Sequence, residues 1–314
     1  MSEVADSAVT VRDVSKRFDQ LTAVDRVSFS VKRGEIFGLV GPDGAGKTTT
    51  MRMLASVMRP DAGSILIDGV DVIADPEQTK RHVSYMPQRF GLYDDLTVDE
   101  NIRFFADLFE IPRQVWRERA ARLLTASGMT PFGKRLAGQL SGGMKQKLGL
   151  TCALVHAPRV LLLDEPTTGV DPVSRREFWQ ILYSLRAEGV AMVISTAYLD
   201  EAERCDRLAL LNQGSIMYCD TPRRLKQGMP GAIIRIASSD PRRMLAVVQP
   251  LDGVEGVLLV GDGVHVHVDD PAQRMPQLVQ AIEAAGMHAN AIEQIEPTVE
   301  DLFVALLERK RQVA

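Results

Sequence analysis

The sequence Gly41-Pro42-Asp43-Gly44-Ala45-Gly46-Lys47-Thr48 lies between a short apolar segment, Ile36–Val40, and a segment whose apolar residues recur at helical spacing. A glycine loop between a buried strand and a helix lets backbone N–H groups close around phosphate oxygens. Lys47 can then reach the β- and γ-phosphates, and the Thr48 hydroxyl can bind Mg²⁺. We therefore predict a nucleoside triphosphate site with loop contacts from Gly41, Asp43, Gly44, Ala45, Gly46, Lys47, Thr48 and Thr49.

An acidic pair, Asp164-Glu165, ends the apolar segment Val160–Leu163. Ligands of α/β folds bind at the carboxyl ends of parallel strands, so we expect this pair beside the phosphate loop. We predict that Asp164 holds Mg²⁺ through water and that Glu165 is the general base toward the attacking water. The alternative is an acidic strand end that merely faces solvent.

A second glycine segment, Leu140-Ser141-Gly142-Gly143-Met144, precedes a helix that we predict to begin near Lys145. The Ser141 hydroxyl and the N–H groups of Gly142 and Gly143 suit a phosphate at a helix N-terminus. That phosphate need not be the one on this chain's own loop.

The order of predicted elements indicates an α/β fold. Two segments of alternating apolar and polar residues, Val9–Phe18 and Thr22–Val31, predict an antiparallel opening, and later strands alternate with helices, which implies a mostly parallel sheet. Composition shifts near Gly228-Met-Pro-Gly231. We predict a domain over 9–228 with a mixed sheet core, an antiparallel β subdomain and a helical subdomain over about 89–155, followed by a small α+β domain over 229–314.

The net charge, the cysteines and the length of the apolar runs indicate which partners and which compartment this chain has. The net charge of −4 over 314 residues argues against a protein held on nucleic acid by a general electrostatic field, so we predict no nucleic-acid partner. Three separated cysteines without a CxxC pattern favour reduced thiols in the cytosol. Apolar runs such as Val160–Leu163 are far shorter than the ~20 residues needed to cross a bilayer. At a membrane, another subunit would provide the span.

Taken together, these motifs resemble the ATPase subunit of an ABC transporter. In this resemblance Gly41–Thr48 is the Walker A loop and Val160–Glu165 the Walker B motif. The other matches are Gln88 in Tyr85-Met-Pro-Gln88 as the Q-loop, Leu140–Met144 as the signature and Gly169-Val-Asp171 as the D-loop. Phe18 stands where the family stacks an aromatic ring on adenine, although a strand phenylalanine by itself is more often a core residue.

The resemblance implies an ABC-type P-loop NTPase fold that binds and hydrolyses Mg-ATP between two subunits packed head to tail. Each ATP would lie between one subunit's Walker A loop and the Ser141–Gly143 and Asp171 segments of the other. Gln88 would contact Mg²⁺ and sense the γ-phosphate, and the region around Phe90–Leu136 would face a membrane subunit.

Glu296–Phe303 is similar to the closing helix of ABC-2-type drug exporter ATPases. This similarity implies an ABC-2-type permease partner, drug-like or amphipathic substrates and a cytoplasmic location at the inner face of the cell membrane.

One position departs from the family pattern. The family expects a histidine after the strand Ala191–Thr196, and here that residue is Ala197. A methyl group can neither contact the γ-phosphate nor orient the attacking water. Three explanations stay open: a degenerate site on this chain, whose signature serves a non-identical subunit; slow hydrolysis in a homodimer, with Tyr198 or water filling the gap; or an engineered substitution.

Two other functions also stay open: a regulatory subunit that binds ATP without hydrolysing it, and a soluble ABC ATPase outside transport.

Asp43 replaces the usual asparagine of the loop, and we expect its carboxylate to point away from phosphate. Met144 replaces the usual glutamine, with little expected effect. His265 and His267 share one face of a predicted strand, which we interpret as an exposed face rather than a metal site because no third ligand is near in sequence.

Overall fold

The structure, a computed structural model, describes residues 7–313, with side chains described up to residue 306. The chain divides into two compact units. The first unit comprises the described residues up to Tyr198 together with Cys205–Cys219, and the second comprises Leu199–Arg204 and the chain from Asp220 onward. The second unit therefore includes a short segment from within the range assigned to the first domain, and the boundary after residue 228 stays a prediction.

The first unit begins with antiparallel strands and continues with strands that alternate with helices. Its strands are β1 (Ser7–Phe18), β2 (Leu21–Lys32), β3 (Ile36–Val40), β4 (Ala62–Ile67), β5 (Val70–Asp71), β6 (Val83–Met86), β7 (Val160–Asp164), β8 (Ala191–Thr196), β9 (Arg207–Asn212) and β10 (Ser215–Asp220). Its helices are α1 (Lys47–Leu54), α2 (Pro76–His82), α3 (Val98–Leu108), α4 (Arg113–Ala126), α5 (Gly142–Leu154) and α6 (Pro172–Ala187).

Two sheets organise these elements. An antiparallel sheet has the strand order β2-β1-β4-β5. The larger sheet has the order β10-β9-β3-β8-β7-β6, in which β9, β3, β8, β7 and β6 run parallel. Its register sets Val40 opposite Thr196 and Asp164 opposite Ser195, so that β3, β7 and β8 end at one edge. The mixed sheet core predicted from the sequence is confirmed.

The central strands are apolar because both faces of the large sheet are buried. Leu162 belongs to the core that faces the antiparallel sheet, where Phe29 stacks on Phe37 with ring centroids 5.0 Å apart. Leu161 faces the other way and packs in the cluster that contains Trp179 of α6. A strand buried on both faces shows a continuous apolar run instead of an alternating one, which explains the pattern at Val160–Leu163.

Helices α3, α4 and α5 enclose a core of their own, as the helical pattern predicted. A capping box of Thr97 and Glu100 begins α3. The side chain of Asn101 is fully buried; it accepts a hydrogen bond from Tyr93 N at 2.9 Å and donates one to Tyr93 O at 3.0 Å. This one side chain holds the loop that enters the helical region. Across residues 7–313, no helix has the length and apolar character needed to cross a membrane.

The second unit is an α+β structure. Its elements are α7 (Leu199–Ala202), α8 (Pro222–Gln227), β11 (Ala232–Ala237), α9 (Pro241–Val248), β12 (Val254–Val260), β13 (Gly263–Val268), α10 (Pro271–Ala284), β14 (Ala291–Ile295) and α11 (Val299–Val313). Its antiparallel sheet has the order β12-β13-β11-β14, and α9 and α10 cover one face. Glu203, just after α7, accepts a hydrogen bond from Val299 N at 3.1 Å and pairs with Lys226 at 3.5 Å.

The interpretation of His265 and His267 as an exposed strand face is wrong, because both side chains are buried. Helix α11 packs against β12 and β13 and covers the face on which these residues lie. His265 Nδ1 lies 2.9 Å from Asp301 Oδ1, and His267 Nε2 lies 2.7 Å from Pro230 O. Among the side chains that the structure describes, no group of three or more His, Cys, Asp or Glu could hold a metal ion.

The pairing of Asp301 predicts a stability that depends on pH. Burial alone would raise the pKa of Asp301, but hydrogen bonds from His265 and Thr298 hold it below its usual value. A depressed carboxyl pKa stabilises the fold above the unfolded pKa of about 4 and ceases to do so as pH falls through the folded value. We expect Asp301→Asn to lower the Tm at pH 7 and to lower it by a smaller amount at pH 3. Glu300→Gln, at the exposed neighbour, is the control; an equal Tm loss by Asp301→Asn at both pH values would contradict the prediction.

Candidate nucleotide site

The phosphate loop connects β3 to α1 in a backbone path that needs glycine. Gly46 has φ of +99°, and a Cβ built there would lie 2.4 Å from Ala23 O. A Cβ on Gly41 would lie 2.3 Å from Leu211 O. The Gly41 N–H donates to Thr196 O at 3.3 Å, which ties the loop to the end of β8. The neighbouring backbone therefore leaves no room for side chains at these two positions.

Lys47 is held across the loop at the start of α1. Its side chain is only 4% exposed, and Nζ donates to Gly41 O at 2.8 Å and Pro42 O at 3.1 Å. Nζ also lies 3.3 Å from Glu165 Oε1. A buried ammonium needs such partners, because an isolated charge out of water is strongly unfavourable. The cation is thereby fixed over the loop, where phosphate oxygens would bind.

Asp164 is buried at the end of β7 and accepts hydrogen bonds from neutral hydroxyls. Its Oδ1 accepts from Thr48 Oγ1 at 3.2 Å and from Ser195 Oγ at 2.5 Å, and its Oδ2 accepts from Tyr85 OH at 3.1 Å. Burial, together with the adjacent Asp164 carboxylate, raises the pKa of Tyr85 to about 12. Because Thr48 gives its proton to Asp164, the lone pairs of its hydroxyl oxygen stay available to a cation.

Glu165 follows Asp164 in a left-handed backbone conformation, with φ of +47°. Such conformations are uncommon for residues other than glycine and cluster at functional sites. Ser195 holds this turn, because both its carbonyl and its hydroxyl accept from Glu165 N, at 3.1 and 3.0 Å. The carboxylate lies between Lys47 and Gln88, whose Nε2 donates to Glu165 Oε2 at 2.9 Å.

The donor set fits Mg²⁺. Carboxylate, hydroxyl and amide oxygens are the ligands this ion prefers in proteins. Asp164 and Thr48 lie in direct contact. Gln88 uses its amide nitrogen on Glu165, which leaves its carbonyl oxygen for a cation. These three predicted metal-site residues are thus grouped around the phosphate loop.

A cavity of about 600 Å³ lies above this group. This volume falls in the range of small-molecule and cofactor sites. Of the predicted residues, those that line it are Phe18, Asp43, Gly44, Ala45, Gly46, Lys47, Thr48, Thr49, Gln88 and Glu165. Gly41 and Asp164 lie buried behind the wall, in contact with Lys47 and Thr48. Phe18 is 42% exposed, which excludes the alternative of a core residue, and its stacking on adenine stays a prediction. The orientation expected of the Asp43 carboxylate stays a prediction.

Six residues of the site were not identified from the sequence. Tyr85 and Ser195 hydrogen-bond Asp164, and the cavity is also lined by Leu21, Thr22 and Ala23 of β2 and by Gln213 in the turn between β9 and β10. Ser195 lies directly across from Asp164 in the sheet. A prediction of the register between β7 and β8 would therefore have identified it.

The second glycine segment forms a separate group. Helix α5 begins at Gly142 and not near Lys145, because the Ser141 hydroxyl caps it by accepting from Met144 N at 3.3 Å. A Cβ on Gly143 would lie 2.4 Å from Ser174, so only glycine allows α5 and α6 to approach this closely. Asp171 caps α6 in turn, accepting from Ser174 N at 2.9 Å. Ser141, Gly142, Gly143 and Asp171 therefore lie together, and they are not among the residues that line the cavity.

Ala197 is exposed directly after β8. The next residue, Tyr198, donates from its backbone N to Thr196 Oγ1 at 2.9 Å, and its ring lies 4.8 Å from the guanidinium carbon of Arg175. Tyr198 is not among the cavity-lining residues. Its placement therefore gives no support to the hypothesis that its side chain replaces the missing histidine.

Residues 24–168 match the family model described as ABC transporter. The chain is 43% identical over 306 residues to the "Probable multidrug ABC transporter ATP-binding protein YbhF" of Escherichia coli, covering 96% of this chain and 52% of that protein. It is 34% identical over 310 residues to the "Doxorubicin resistance ATP-binding protein DrrA" of Mycobacterium tuberculosis, covering 96% of this chain and 94% of that protein. The chain belongs to the ABC transporter ATP-binding family.

A solved ATP-binding subunit of an ABC transporter supports this membership. It is 30% identical to the chain, with a TM-score of 0.65, and the match covers 70% of this ABC protein and 92% of the solved one. The family and fold predicted from the Walker and signature motifs are confirmed. The chain spans about half the length of YbhF.

The crowded path at Gly46 predicts how this ABC protein responds to a single methyl group. We expect Gly46→Ala to distort the phosphate loop and raise the Kd for ATP by about 10-fold or more. A loss of only about 1.4 kcal/mol in binding free energy corresponds to that factor. Gly69→Ala is a matched control, because Gly69 also has a positive φ, of +83°, but has no atom within 4 Å of its Cβ position. Isothermal titration calorimetry would measure both, and equal affinities would contradict the prediction.

Proposed function

We propose that this chain binds and hydrolyses Mg-ATP as the ATP-binding subunit of an exporter for drug-like or amphipathic compounds. The observation that carries the proposal is the grouping of Lys47, Gln88 and Glu165 in one cavity with the exposed ring of Phe18. The printed names of the relatives, which refer to multidrug transport and doxorubicin resistance, favour an exporter over a soluble ATPase outside transport.

The geometry suggests a role for each side chain in hydrolysis. Loop N–H groups and Lys47 would bind the phosphates, and the ring of Phe18 would stack on the base. Thr48, Gln88 and Asp164 would hold Mg²⁺, which supplies positive charge to the developing negative charge on the phosphate oxygens. Glu165 would accept the proton of a water whose oxygen attacks the γ-phosphorus as the bond to ADP breaks. Gln88 holds Glu165 Oε2 at 2.9 Å and so orients this base.

The second glycine group supports a working dimer. Ser141–Gly143 and Asp171 lie outside this chain's cavity, and N–H groups in the first turn of a helix lack partners within that helix. We propose that the Ser141 hydroxyl and the N–H groups of Gly142 and Gly143 contact the γ-phosphate of ATP bound to a second subunit, with Asp171 at the same interface. That subunit is a second ABC ATPase, and Ala197 favours a non-identical one, because this chain's own site lacks a contact that the partner's site would retain.

Ala197 also supports the second candidate, a regulatory subunit that binds ATP without turnover. Here the methyl group would leave the attacking water unoriented, while the signature still completes the partner's site. Slow hydrolysis in a homodimer is the other outcome, with Glu165 acting without a histidine. Steady-state turnover of the purified chain distinguishes these possibilities.

For a catalytic site we expect Glu165→Gln to lower ATP hydrolysis by about 100-fold or more while ATP binding persists, because the general base is lost.

We expect Ala197→His to raise turnover by about 10-fold, since it restores a group that can hydrogen-bond the phosphate. Ala121→His, at an exposed alanine of α4, is the matched control. Release of inorganic phosphate measures all variants. Undiminished hydrolysis by Glu165→Gln would contradict the catalytic proposal, and absent hydrolysis with intact ATP binding in the parent would favour the regulatory one.

A groove between α2, β6 and α3 supports a membrane partner. It has a volume of about 640 Å³, and we name it the α2–α3 groove; its wall includes Val57, Lys80, Arg81, Tyr85, Phe105 and Leu108. Val57 is 68% and Leu108 64% exposed, and exposed apolar side chains grouped beside polar ones mark interaction sites. We propose that a cytoplasmic segment of an ABC-2-type permease binds here and holds the chain at the inner face of the cell membrane.

The groove proposal predicts that Leu108→Glu weakens membrane association several-fold without loss of ATP binding, because a charge would be buried at the contact. Leu259→Glu, at an apolar residue of β12 that is 45% exposed, is the control. The tagged chain would be expressed in its own host, and multi-span proteins that co-purify from membranes would be quantified by mass spectrometry. Equal recovery with both variants would contradict the proposal, and a ribosome-bound fraction would contradict the transport function.

A further inference from the structure

Tyr85 belongs to the Q-loop segment Tyr85–Gln88, but the family resemblance assigns no role to its side chain. It lies on β6, three residues before Gln88, and is paired in the sheet with Leu162 of β7. Asp164 lies two residues beyond Leu162, and side chains two apart on a strand share a face of the sheet. The Tyr85 hydroxyl can therefore reach Asp164, and it donates to Oδ2 at 3.1 Å.

The two oxygens of Asp164 are held by different parts of the fold. Oδ1 accepts from Thr48 of α1 and from Ser195 of β8, which belong to the nucleotide site itself. Oδ2 accepts from Tyr85. Of these three donors, Tyr85 is the one that also lines the α2–α3 groove. A single residue thus borders the groove and holds the buried carboxylate with its hydroxyl.

We propose that Tyr85 is a positioning residue that links occupancy of the α2–α3 groove to the orientation of Asp164. This inference rests on the proposed function, because it requires Mg-ATP in the cavity and a partner in the groove. A partner that shifts the Tyr85 ring moves the hydroxyl relative to Oδ2, and a buried carboxylate oxygen is costly to leave unpaired. By linkage, Mg-ATP that fixes Asp164 must in turn favour one position of the ring.

Tyr85→Phe tests the inference, because it keeps the aromatic ring and removes only the hydroxyl. Calorimetry on the full chain would give the Kd for ATP with Mg²⁺ and with EDTA. The ratio of the Kd in EDTA to the Kd with Mg²⁺ measures how much Mg²⁺ strengthens ATP binding. We expect Tyr85→Phe to lower this ratio by about 10-fold, as is typical when a group that orients a metal ligand is lost. We expect the Kd in EDTA to stay unchanged. Tyr93→Phe, at an exposed tyrosine outside both the cavity and the groove wall, is the matched control.

Hydrogen–deuterium exchange gives a second readout that a merely structural role would not move. Mg-ATP should change amide protection in β6 and at the end of α3 in the parent and in Tyr93→Phe, and this response should be lost in Tyr85→Phe. An unchanged ratio of the two Kd values, an equal loss of affinity with and without Mg²⁺, or a retained exchange response would each overturn the inference. If the parent chain itself fails to bind ATP, the proposed function fails instead.

Discussion

The central position of β8 is the constraint on which the site depends. Its last two residues bind the strands on either side: Thr196 O accepts from Gly41 of the phosphate loop, and Ser195 accepts from Glu165 while donating to Asp164. The loop and the acidic pair are more than 100 residues apart in the chain, yet one strand brings them together. Parallel strands that end at one edge of a sheet make this possible, because each contributes its following residue to the same place.

Charge is arranged around that edge with little access to water. Lys47 is held by two loop carbonyls and by Glu165, whereas the donors to Asp164 are neutral hydroxyls. Neutral donors satisfy the oxygens of a carboxylate without cancelling its charge, so Asp164 keeps its attraction for a cation. Lys47 and Asp164 therefore present opposite charges at one loop, which suits a ligand that brings an anion and a metal ion together.

Most of the fold and much of the site could be predicted, because the motifs are contiguous and lie on strongly patterned elements. The Walker A residues follow an apolar strand, and the acidic pair ends another, so local sequence sufficed for Lys47 and Glu165. The missed residues depend on long-range packing. Tyr85 reaches Asp164 because of the register between β6 and β7. His265 is buried because α11, which begins some 35 residues later, packs over the sheet. The periodicity of a single strand reveals neither contact. Helix α5 begins earlier than expected because Ser141 caps it.

The short helix α7 follows β8 after two residues, yet it belongs to the second unit, where Glu203 caps the first turn of α11. The C-terminal unit is therefore not an appendage that can be exchanged at a linker. A hybrid that joins the ATPase unit of one family member to the accessory unit of another would have to carry Leu199–Arg204 with the accessory unit, as an internal graft directly after the position of Tyr198. Sequence change at Glu203, just after α7, is thus constrained by a helix that begins almost 100 residues later in the chain.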